Sequence, residues 1–503
     1  MNLKKKSGGF SSRIGLILTL VGASVGTGNI WRFPRMVALN GGGAFIIAFI
    51  IICFVVAIPV LSAEMILGRS TRHSPIGAFR DFIGKKFAWM GTWLVVICML
   101  ITAYYMAVVA WVVQYVGRSV MGSYFGMDSE QLGTLFTSVA NRNPVTLLLF
   151  VLALVAVGIT LYKGVGSIEK INLVMMPLLL GLCVIIVIRG LTLPGSIEGL
   201  KFIFSVDPAR FGNSQTWLNA ITQCAWSTGP GFGVTLALGA YSKAKSDITV
   251  NCALQAYGDQ TVSLLGSLMV LPVLFALAPT VEAATDMCAS GNTGLMFISL
   301  TGIFQSMPGG QIVAVLFFIA LIFAAFTSSI AMSTVGMTAL VDAGFTRKKA
   351  AFGTTLFMII IGAPSAFSLT VFNNQDWTWG VLLLFGVVFI GFAYIKYGVE
   401  KARKEYLLFP ENDWKIGPWW NVCVAYVSPA VIIIMIVWWV IQSIGWYPGD
   451  WWNPFLEASL GTIILQGGIV IAVCLIFNKK IAAGVKHTYF KEGTFPEIPE
   501  EMV

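Results

Sequence analysis

Apolar stretches long enough to cross a lipid bilayer recur along the whole chain, and short polar segments separate them. About 20 consecutive apolar residues in a helix span the hydrocarbon core of a membrane. The pattern therefore predicts an all-α polytopic membrane protein with twelve transmembrane helices. The predicted helices cover residues 13–36, 42–68, 88–121, 145–162, 168–189, 214–241, 252–278, 311–342, 348–371, 377–398, 415–443 and 456–477.

Two of the polar stretches are longer than the other loops. Residues 190–213 and 280–310 are too polar to cross a membrane, and we expect them to form helices at its outer surface. No segment is long enough to form a separate soluble domain, so a single transmembrane domain is predicted. This domain of residues 1–503 consists of a first half, 13–190, a second half, 214–400, and two peripheral helices within 415–477.

The bulk composition agrees with this architecture. Of the 503 residues, 57% are hydrophobic and only 11% are charged, whereas charged residues make up about a quarter of a soluble domain. The eight cysteines lie almost entirely within apolar spans and show no pairing pattern. We therefore interpret them as small core residues rather than as a disulfide framework.

The net charge of +9 would suit a nucleic-acid-binding protein, but the distribution of the basic residues favours a topological explanation. Lysine and arginine are concentrated in alternate loops, as they are in the cytoplasmic loops of membrane proteins. We therefore expect no nucleic-acid partner and place both termini in the cytoplasm. The chain has no Asn-x-Ser/Thr acceptor, and we expect the basic N-terminus to lead into a retained first helix rather than a cleavable signal peptide. Both points favour a bacterial cytoplasmic (inner) membrane.

The residue types expected of an enzyme are not grouped in this sequence. The two histidines, His73 and His487, lie in predicted cytoplasmic segments, without a nucleophile or a metal-ligand cluster beside them. We therefore predict a protein that is not an enzyme and that uses no organic cofactor.

Two predicted spans contain helix-breaking residues in their middle. The first contains Gly22-Ala-Ser-Val-Gly-Thr-Gly-Asn29, and the sixth contains Ser227-Thr-Gly-Pro-Gly-Phe-Gly233. In a helix interior a proline costs about 3 kcal/mol and a glycine about 1 kcal/mol, so both segments are predicted to be unwound. Each is the first span of its half, and matching interruptions indicate a binding site at the middle of an inverted-repeat transporter. As an alternative, Gly22-x-x-x-Gly26 matches the motif by which membrane helices dimerise.

The same segments resemble one known family. Residues 13–43, which include Gly-Asn-Ile-Trp-Arg-Phe-Pro, are similar to the first helix of the neurotransmitter:sodium symporters. Gly229–Gly233 and Thr327–Ile330 are similar to motifs in the sixth and eighth spans of that family. The resemblance extends to span ten and is greatest to bacterial amino-acid carriers of the leucine-transporter type. It implies a five-plus-five inverted-repeat core with discontinuous helices 1 and 6. The implied activity is sodium-coupled secondary active symport of an amino acid by alternating access, with the substrate, two sodium ions and the lipid bilayer as partners.

The resemblance implies two sodium sites, and sodium is a hard cation that prefers several oxygen ligands. The implied ligands of one site are the carbonyls of Gly22, Val25 and Ala324 and the hydroxyls of Thr327 and Ser328. The alternative for the two hydroxyls is hydrogen bonding to their own helix, which is usual for membrane serine and threonine.

The other implied site uses the Ser24 carbonyl and the side chains of Asn29, Ser227 and Asp259. The family usually has asparagine where this chain has Asp259, and a carboxylate in the middle of a span is costly unless it is paired. Chloride-dependent members have a serine one turn later, here Ser263, and a tyrosine where this chain has Phe49. We expect Asp259 to supply the negative charge, which would make transport independent of chloride.

The implied substrate site lies between the two interruptions. The substrate carboxylate would bind the amides of Thr27 and Gly28 and the Tyr105 hydroxyl. Monoamine carriers have an aspartate where this chain has Gly26. The substrate is therefore expected to bring its own acid group, as an amino acid does. A neutral, hydrophobic amino acid is the first candidate, and a small omega-amino acid such as GABA or taurine is the alternative. A proton-coupled or exchange carrier of the same architecture is the alternative mechanism. The amine would bind the carbonyls of Ser24, Trp226 and Ser227, and the side chain would contact Ile101, Trp226, Gly229, Phe232, Ser328 and Met332.

Gates on both sides of this site are also implied. Arg32 and Asp376 would close the outside, with Phe232 as an apolar lid, and Asp342 and Tyr241 would belong to the inner gate. Relatives have an arginine and a tryptophan at positions that Ser7 and Phe10 occupy here, so Lys5 or Lys6 is expected to supply the cation. Glu64, in span two, is expected to brace the unwound backbones.

Overall fold

The computed structural model describes residues 9–278 and 280–499, and in this part of the chain regular structure is helical. The first half begins with a series of short helices and continues with long ones. The helices are α1 (Arg13–Ser24), α2 (Thr27–Ile30), α3 (Arg32–Leu39), α4 (Gly43–Ile52), α5 (Ile58–Thr71), α6 (Pro75–Ile83), α7 (Ala88–Met121), α8 (Ser129–Ala140), α9 (Pro144–Tyr162), α10 (Val165–Leu191) and α11 (Ser196–Phe204).

The rest of the described chain also contains both short and long helices. The helices are α12 (Ser214–Ser227), α13 (Val234–Gly239), α14 (Thr249–Leu277), α15 (Val281–Ala289), α16 (Gly291–Gly294), α17 (Leu300–Ser306), α18 (Gly310–Asp342), α19 (Arg347–Phe367), α20 (Leu369–Leu383), α21 (Phe385–Tyr397), α22 (Val399–Tyr406), α23 (Trp419–Val422), α24 (Ser428–Trp446), α25 (Leu460–Ile476) and α26 (Asn478–Gly484).

In the described residues, nine helices are long and apolar enough to cross a membrane, and the number rises to eleven if each of two bent pairs is one span. The predicted span 214–241 is present as α12 and α13, which are separated by residues 228–233. The all-α, membrane-spanning class is therefore confirmed. The number of twelve spans and the inverted repeat remain predictions.

The predicted surface stretches are both helical. Residues 190–213 contain α11, and residues 280–310 contain α15, α16 and α17. The largest boundary error concerns the predicted span 377–398, because the helical segment begins already at Leu369. Ser368 is extended, and its Oγ accepts a hydrogen bond from Val371 N. The preceding helix therefore ends at Phe367, and the new helix begins at Leu369, eight residues before its predicted start.

The first interruption lies at two residues of the glycine-rich segment. Val25 and Gly26 have extended backbones, and the helices on either side, Arg13–Ser24 and Thr27–Leu39, are bent by 68° relative to each other. The backbone amide of Gly26 donates to Asn29 Oδ1 at 2.8 Å. One backbone donor that the break removes from the helix therefore has a side-chain partner, as a backbone at membrane depth requires.

The second interruption, residues 228–233, is built from glycines with positive φ. Gly229, Gly231 and Gly233 have φ angles of 79°, 87° and 75°, a region that residues with a side chain rarely adopt. Glu64, which is fully buried, accepts hydrogen bonds from Gly231 N at 2.7 Å and Leu236 N at 3.3 Å. As expected from the sequence, Glu64 therefore holds an unwound backbone.

Candidate functional site

A cavity of about 470 Å³ lies between the two helix interruptions. Its lining combines the breaks at Val25–Gly26 and 228–233 with side chains from the long helices α7, α14 and α18. Most sequence-predicted substrate and gate residues line it, together with the predicted sodium ligand Asn29. These are Ser24, Thr27, Gly28, Asn29, Arg32, Ile101, Tyr105, Trp226, Ser227, Gly229, Phe232, Ser328, Met332 and Asp376.

One end of the cavity is polar because Tyr105 reaches the start of α2. The Tyr105 hydroxyl accepts a hydrogen bond from Thr27 N at 2.9 Å and lies 3.1 Å from Thr27 Oγ1. A Cβ atom at Gly26 would be 3.0 Å from the Tyr105 oxygen and 3.5 Å from Ser328 Oγ. Glycine at position 26 therefore permits the close approach of these two hydroxyls to the opened backbone, where an anionic ligand group can find donors.

A buried carboxylate lies beside this cavity. Asn29 Nδ2 donates to Asp259 Oδ1 at 2.6 Å, and Ser227 Oγ donates to Asp259 Oδ2 at 2.7 Å. Asn29 Nδ2 also lies 3.1 Å from Ser227 Oγ and 2.8 Å from Ser263 Oγ. The predicted side-chain ligands of one sodium site are thus brought together, with Ser263 next to them.

The partners of Asp259 in the described part of the chain are neutral. Its side chain is completely buried, and no lysine, arginine or histidine described by the structure forms an ion pair with it. A buried carboxylate without a counter-cation is costly. This arrangement therefore suits a small cation beside Asp259.

The hydroxyls predicted for the other sodium site bond to their own helix. Thr327 Oγ1 donates to Phe323 O at 2.9 Å and lies 3.1 Å from Ala324 O, and Ser328 Oγ lies 3.2 Å from Ala325 O. A hydroxyl that donates its hydrogen keeps two lone pairs for a cation, so this bonding is compatible with either interpretation. Gly22 and Val25 are buried at the end of α1, which packs against α18.

Sequence reasoning missed a polar network at the side of the cavity. Gln255 Nε2, on α14, donates to Ser24 Oγ at 2.9 Å and to Thr235 Oγ1 at 3.0 Å. Ser24 Oγ in turn donates to the carbonyl of Thr228 at 3.0 Å. The two interrupted segments are therefore joined through Gln255, which the sequence signals only as a polar residue four positions before Asp259 in an apolar span.

The two predicted outer-gate residues line the same cavity but do not form a direct ion pair in the described structure. Asp376 Oδ1 accepts a hydrogen bond from the Tyr104 hydroxyl at 2.7 Å. Phe232 packs against Trp226, with ring centroids 6.5 Å apart. Tyr104, which the sequence offered only as the neighbour of Tyr105, is therefore the direct partner of Asp376.

On the opposite side, Asp342 has partners that sequence reasoning did not identify. His73 Nδ1 lies 3.0 Å from Asp342 Oδ1, and Ser74 N donates to Asp342 Oδ2 at 2.8 Å. His73 is buried and its Nε2 lies 3.5 Å from Asp81 Oδ2. No sequence pattern indicated these contacts, which place two carboxylates at the His73 ring.

Tyr241, the other predicted inner-gate residue, is also buried. Its backbone carbonyl accepts a hydrogen bond from Phe10 N at 3.4 Å, and its ring lies 6.0 Å from the guanidinium of Arg347. The cations predicted to complete the gate, Lys5 and Lys6, lie outside the described residues, as does Ser7.

A C-terminal segment, residues 485–498, lies next to the predicted inner-gate residues. Arg72 donates through Nε to Pro496 O at 2.8 Å and through Nη1 to Ala240 O at 2.8 Å. The guanidinium of Arg69 lies 3.7 Å from the ring centre of Phe495. The segment is thus tied by buried arginines to the end of α13 and the loop after α5.

The comparisons with known proteins agree with this geometry. A model of the Sodium:neurotransmitter symporter family matches residues 7–124 and 121–483. An uncharacterized sodium-dependent transporter of Methanocaldococcus jannaschii is 29% identical over 443 residues, covering 85% of this chain and 89% of that protein. The sodium- and chloride-dependent taurine transporter of Bos taurus is 27% identical over 475 residues, covering 84% of this chain and 76% of that protein.

A solved structure has a similar fold. The crystal structure of MhsT in complex with L-phenylalanine superposes with a TM-score of 0.74 at 28% sequence identity. The superposition covers 85% of this chain and 99% of that chain.

Proposed function

Since this chain belongs to the sodium:neurotransmitter symporter family, we propose that it couples the sodium gradient to import of a neutral, hydrophobic amino acid by alternating access. The observation that carries the proposal is the buried Asp259, which has neutral hydrogen-bond partners and lies beside a cavity between two broken helices. A cation at this carboxylate would remove the cost of burying its charge. Substrate binding and cation binding would therefore take place in adjoining space.

Two sodium ions are proposed. One would bind the Ser24 carbonyl, Asn29, Ser227 and Asp259, and the other would bind the Thr327 and Ser328 hydroxyls with three backbone carbonyls. Unwound backbone supplies such carbonyls without a side chain, which is how discontinuous helices hold coupling ions. The three carbonyls proposed for the second ion are those of Gly22, Val25 and Ala324.

The amino acid would lie with its carboxylate at Thr27 N, Gly28 N and the Tyr105 hydroxyl. The hydrogen bond between Thr27 N and Tyr105 supports this orientation, because both groups already meet at one point. The amine would face the carbonyls of Ser24, Trp226 and Ser227. The absence of an acidic side chain at Gly26 leaves the carboxylate to be supplied by the substrate itself.

The apolar part of the cavity favours a hydrophobic side chain. Ile101, Trp226, Phe232 and Met332 line it, and the similar structure MhsT contains L-phenylalanine. A small omega-amino acid is the second candidate, which the similarity to taurine transporters favours. A proton-coupled or exchange mechanism is a less favoured alternative, because Thr327 and Ser328 are both present.

Transport is proposed to be independent of chloride. A mobile anion would be needed only if the sodium site lacked negative charge, and Asp259 supplies that charge next to Asn29 and Ser263. Replacement of chloride by gluconate is therefore expected to leave uptake unchanged.

Closure of the outer side is proposed to involve Arg32, Asp376 and Phe232, with Tyr104 holding the Asp376 carboxylate. Closure of the inner side is proposed to involve Asp342 and Tyr241, with His73 and the segment 485–498 as additional contacts. These contacts would compensate for the family arginine and tryptophan that Ser7 and Phe10 replace.

The proposed setting is a bacterial cytoplasmic membrane with both termini inside. The proposed organisation is one domain, residues 1–503, with repeats 13–190 and 214–400 and peripheral helices in 415–477. The alternation of basic loops supports this topology.

Equilibrium binding tests the function directly. Purified protein is incubated with labelled phenylalanine, leucine, alanine, GABA and taurine in sodium chloride, potassium chloride or sodium gluconate. We expect one hydrophobic amino acid to bind in both sodium salts and not in potassium chloride. Equal binding in sodium and potassium would contradict sodium coupling, and binding of taurine or GABA alone would replace the proposed substrate class.

A further inference from the structure

Asn172, on α10, has a buried amide oxygen without a partner. Its side chain is completely buried, Nδ2 donates to Ile168 O at 2.9 Å, and Oδ1 has no hydrogen-bond partner in the described structure. A buried acceptor that lacks a donor costs about 1–3 kcal/mol. Such an oxygen requires an explanation, and a bound cation would provide the missing partner.

The position of this oxygen points to a particular neighbour. A Cβ atom at Gly22 would lie only 2.2 Å from Asn172 Oδ1, so the amide occupies the space that a side chain at position 22 would fill. Standard bond lengths then place Asn172 Oδ1 within about 5–6 Å of the Gly22 carbonyl oxygen. Two oxygens that bind one cation at about 2.3–2.6 Å lie at most about 5 Å apart, so a shift of Asn172 by about 1 Å or less would let one ion contact both.

The Gly22 carbonyl is itself available at this point. In a continuous helix it would accept from Gly26 N, but that amide donates to Asn29 Oδ1 at 2.8 Å. Likewise, Asn29 N, the helical donor for Val25 O, lies 3.3 Å from Gly26 O. The break in the first span therefore leaves carbonyls at the same place where α10 presents an unpartnered oxygen.

We infer that Asn172 Oδ1 is a further ligand of the cation site formed by Gly22, Val25, Ala324, Thr327 and Ser328. The inference rests on the second sodium site of the proposed function and adds α10 to it. α10 packs against both α1 and α18, so a side chain from α10 closes the site from a third side. Because ligand number and site rigidity determine cation affinity, Asn172 would strengthen sodium binding and connect α10 to site occupancy.

Sodium-induced thermal stabilisation, measured without amino acid, tests the inference. The variants are Asn172→Leu, which removes the oxygen at similar volume, and Asn172→Asp, which keeps it with a charge. The matched control is Asn251→Leu, because Asn251 is also buried on a long helix with an unpartnered Oδ1. The melting temperature of each variant is compared in sodium chloride and in potassium chloride. The same comparison is made in an Asp259→Asn background, in which the site at Thr327 and Ser328 dominates the sodium response.

We expect Asn172→Leu to raise the half-saturating sodium concentration about tenfold and Asn172→Asp to leave it unchanged or lower it. Asn251→Leu should lower stability equally in both salts without changing the sodium response. If sodium stabilises the wild-type protein and Asn172→Leu has the same sodium response, the inference is overturned but the proposed function is not. A wild-type protein that sodium does not stabilise would overturn the sodium sites and this inference together.

Discussion

The amide nitrogen of Asn29 lies 2.6 Å from Oδ1 of Asp259, although 230 positions separate the two residues. Asn29 follows the break in the first span, and Asp259 lies in the middle of α14. This pair places a buried carboxylate at the edge of the central cavity. The chemistry proposed for the protein depends on what neutralises that carboxylate.

The first prediction concerns the charge of Asp259. Asp259→Asn keeps the shape but removes the negative charge, and contacts between a charged group and its partner contribute about 1.5–3 kcal/mol. We expect sodium affinity to fall about tenfold to hundredfold, and uptake to become dependent on chloride, which would replace the missing charge. Uptake is measured in chloride and in gluconate. An unchanged sodium affinity in the variant would argue against Asp259 as a ligand.

The second prediction concerns the Tyr105 hydroxyl. Tyr105→Phe removes the group that meets Thr27 N and that is proposed to donate to the substrate carboxylate. The KM for uptake should rise about tenfold to hundredfold, since a hydrogen bond to a charged group contributes about 1.5–3 kcal/mol. Tyr426→Phe is the control because Tyr426 is 65% exposed. If the two variants had equal KM values, the proposed orientation of the substrate would be wrong.

The third prediction concerns the space at Gly26. Gly26→Ala places a methyl group 3.0 Å from the Tyr105 oxygen, which is closer than an ordinary van der Waals contact. The Tyr105 ring must shift, and we expect at least about tenfold weaker substrate binding, since displacing the hydroxyl weakens a hydrogen bond to a charged group. Gly117→Ala is the matched control, because Gly117 does not line the cavity and a Cβ at this position would meet nothing within 4 Å. Wild-type affinity in Gly26→Ala would show that close approach at this glycine is unnecessary.

The fourth prediction concerns Glu64. Glu64 Oε1 accepts from Gly231 N and Oε2 accepts from Leu236 N. Glu64→Gln replaces one of these oxygens by an NH₂ group, which only donates hydrogen bonds. One buried N–H then loses its acceptor, so the free energy of unfolding should fall by about 1–3 kcal/mol. Thermal denaturation in detergent measures the change, with the exposed Glu130→Gln as control. Equal melting temperatures would contradict a bracing role for Glu64.

The sequence predicted the family, the all-α membrane class and both helix interruptions, and these predictions are confirmed. The family was predicted from the resemblance of its motifs, whereas the membrane class and the interruptions have a local physical cause. Apolar stretches of spanning length and clusters of glycine and proline act through helix propensity and through the need of backbone groups in lipid for hydrogen-bond partners. The break at Val25 and Gly26 follows from residues within a few positions of it.

Contacts between distant parts of the chain could not be predicted in this way. The pairs His73 with Asp342 and Tyr104 with Asp376 join residues 269 and 272 positions apart, and no local pattern indicates that such residues will meet. Gln255 was missed for the same reason, because its partners Ser24 and Thr235 belong to the two interrupted segments. These tertiary contacts determine how the candidate gates are built, whereas local sequence determines only where the helices break.

Uptake by proteoliposomes tests the central claim most directly. Purified protein is reconstituted, labelled phenylalanine is added outside, and accumulation is followed with an inward sodium gradient or with potassium or choline in place of sodium. The account predicts accumulation above the external concentration only with the sodium gradient, and its loss when a sodium ionophore collapses that gradient. Accumulation or exchange at the same rate without sodium, in protein shown to be folded, would contradict it.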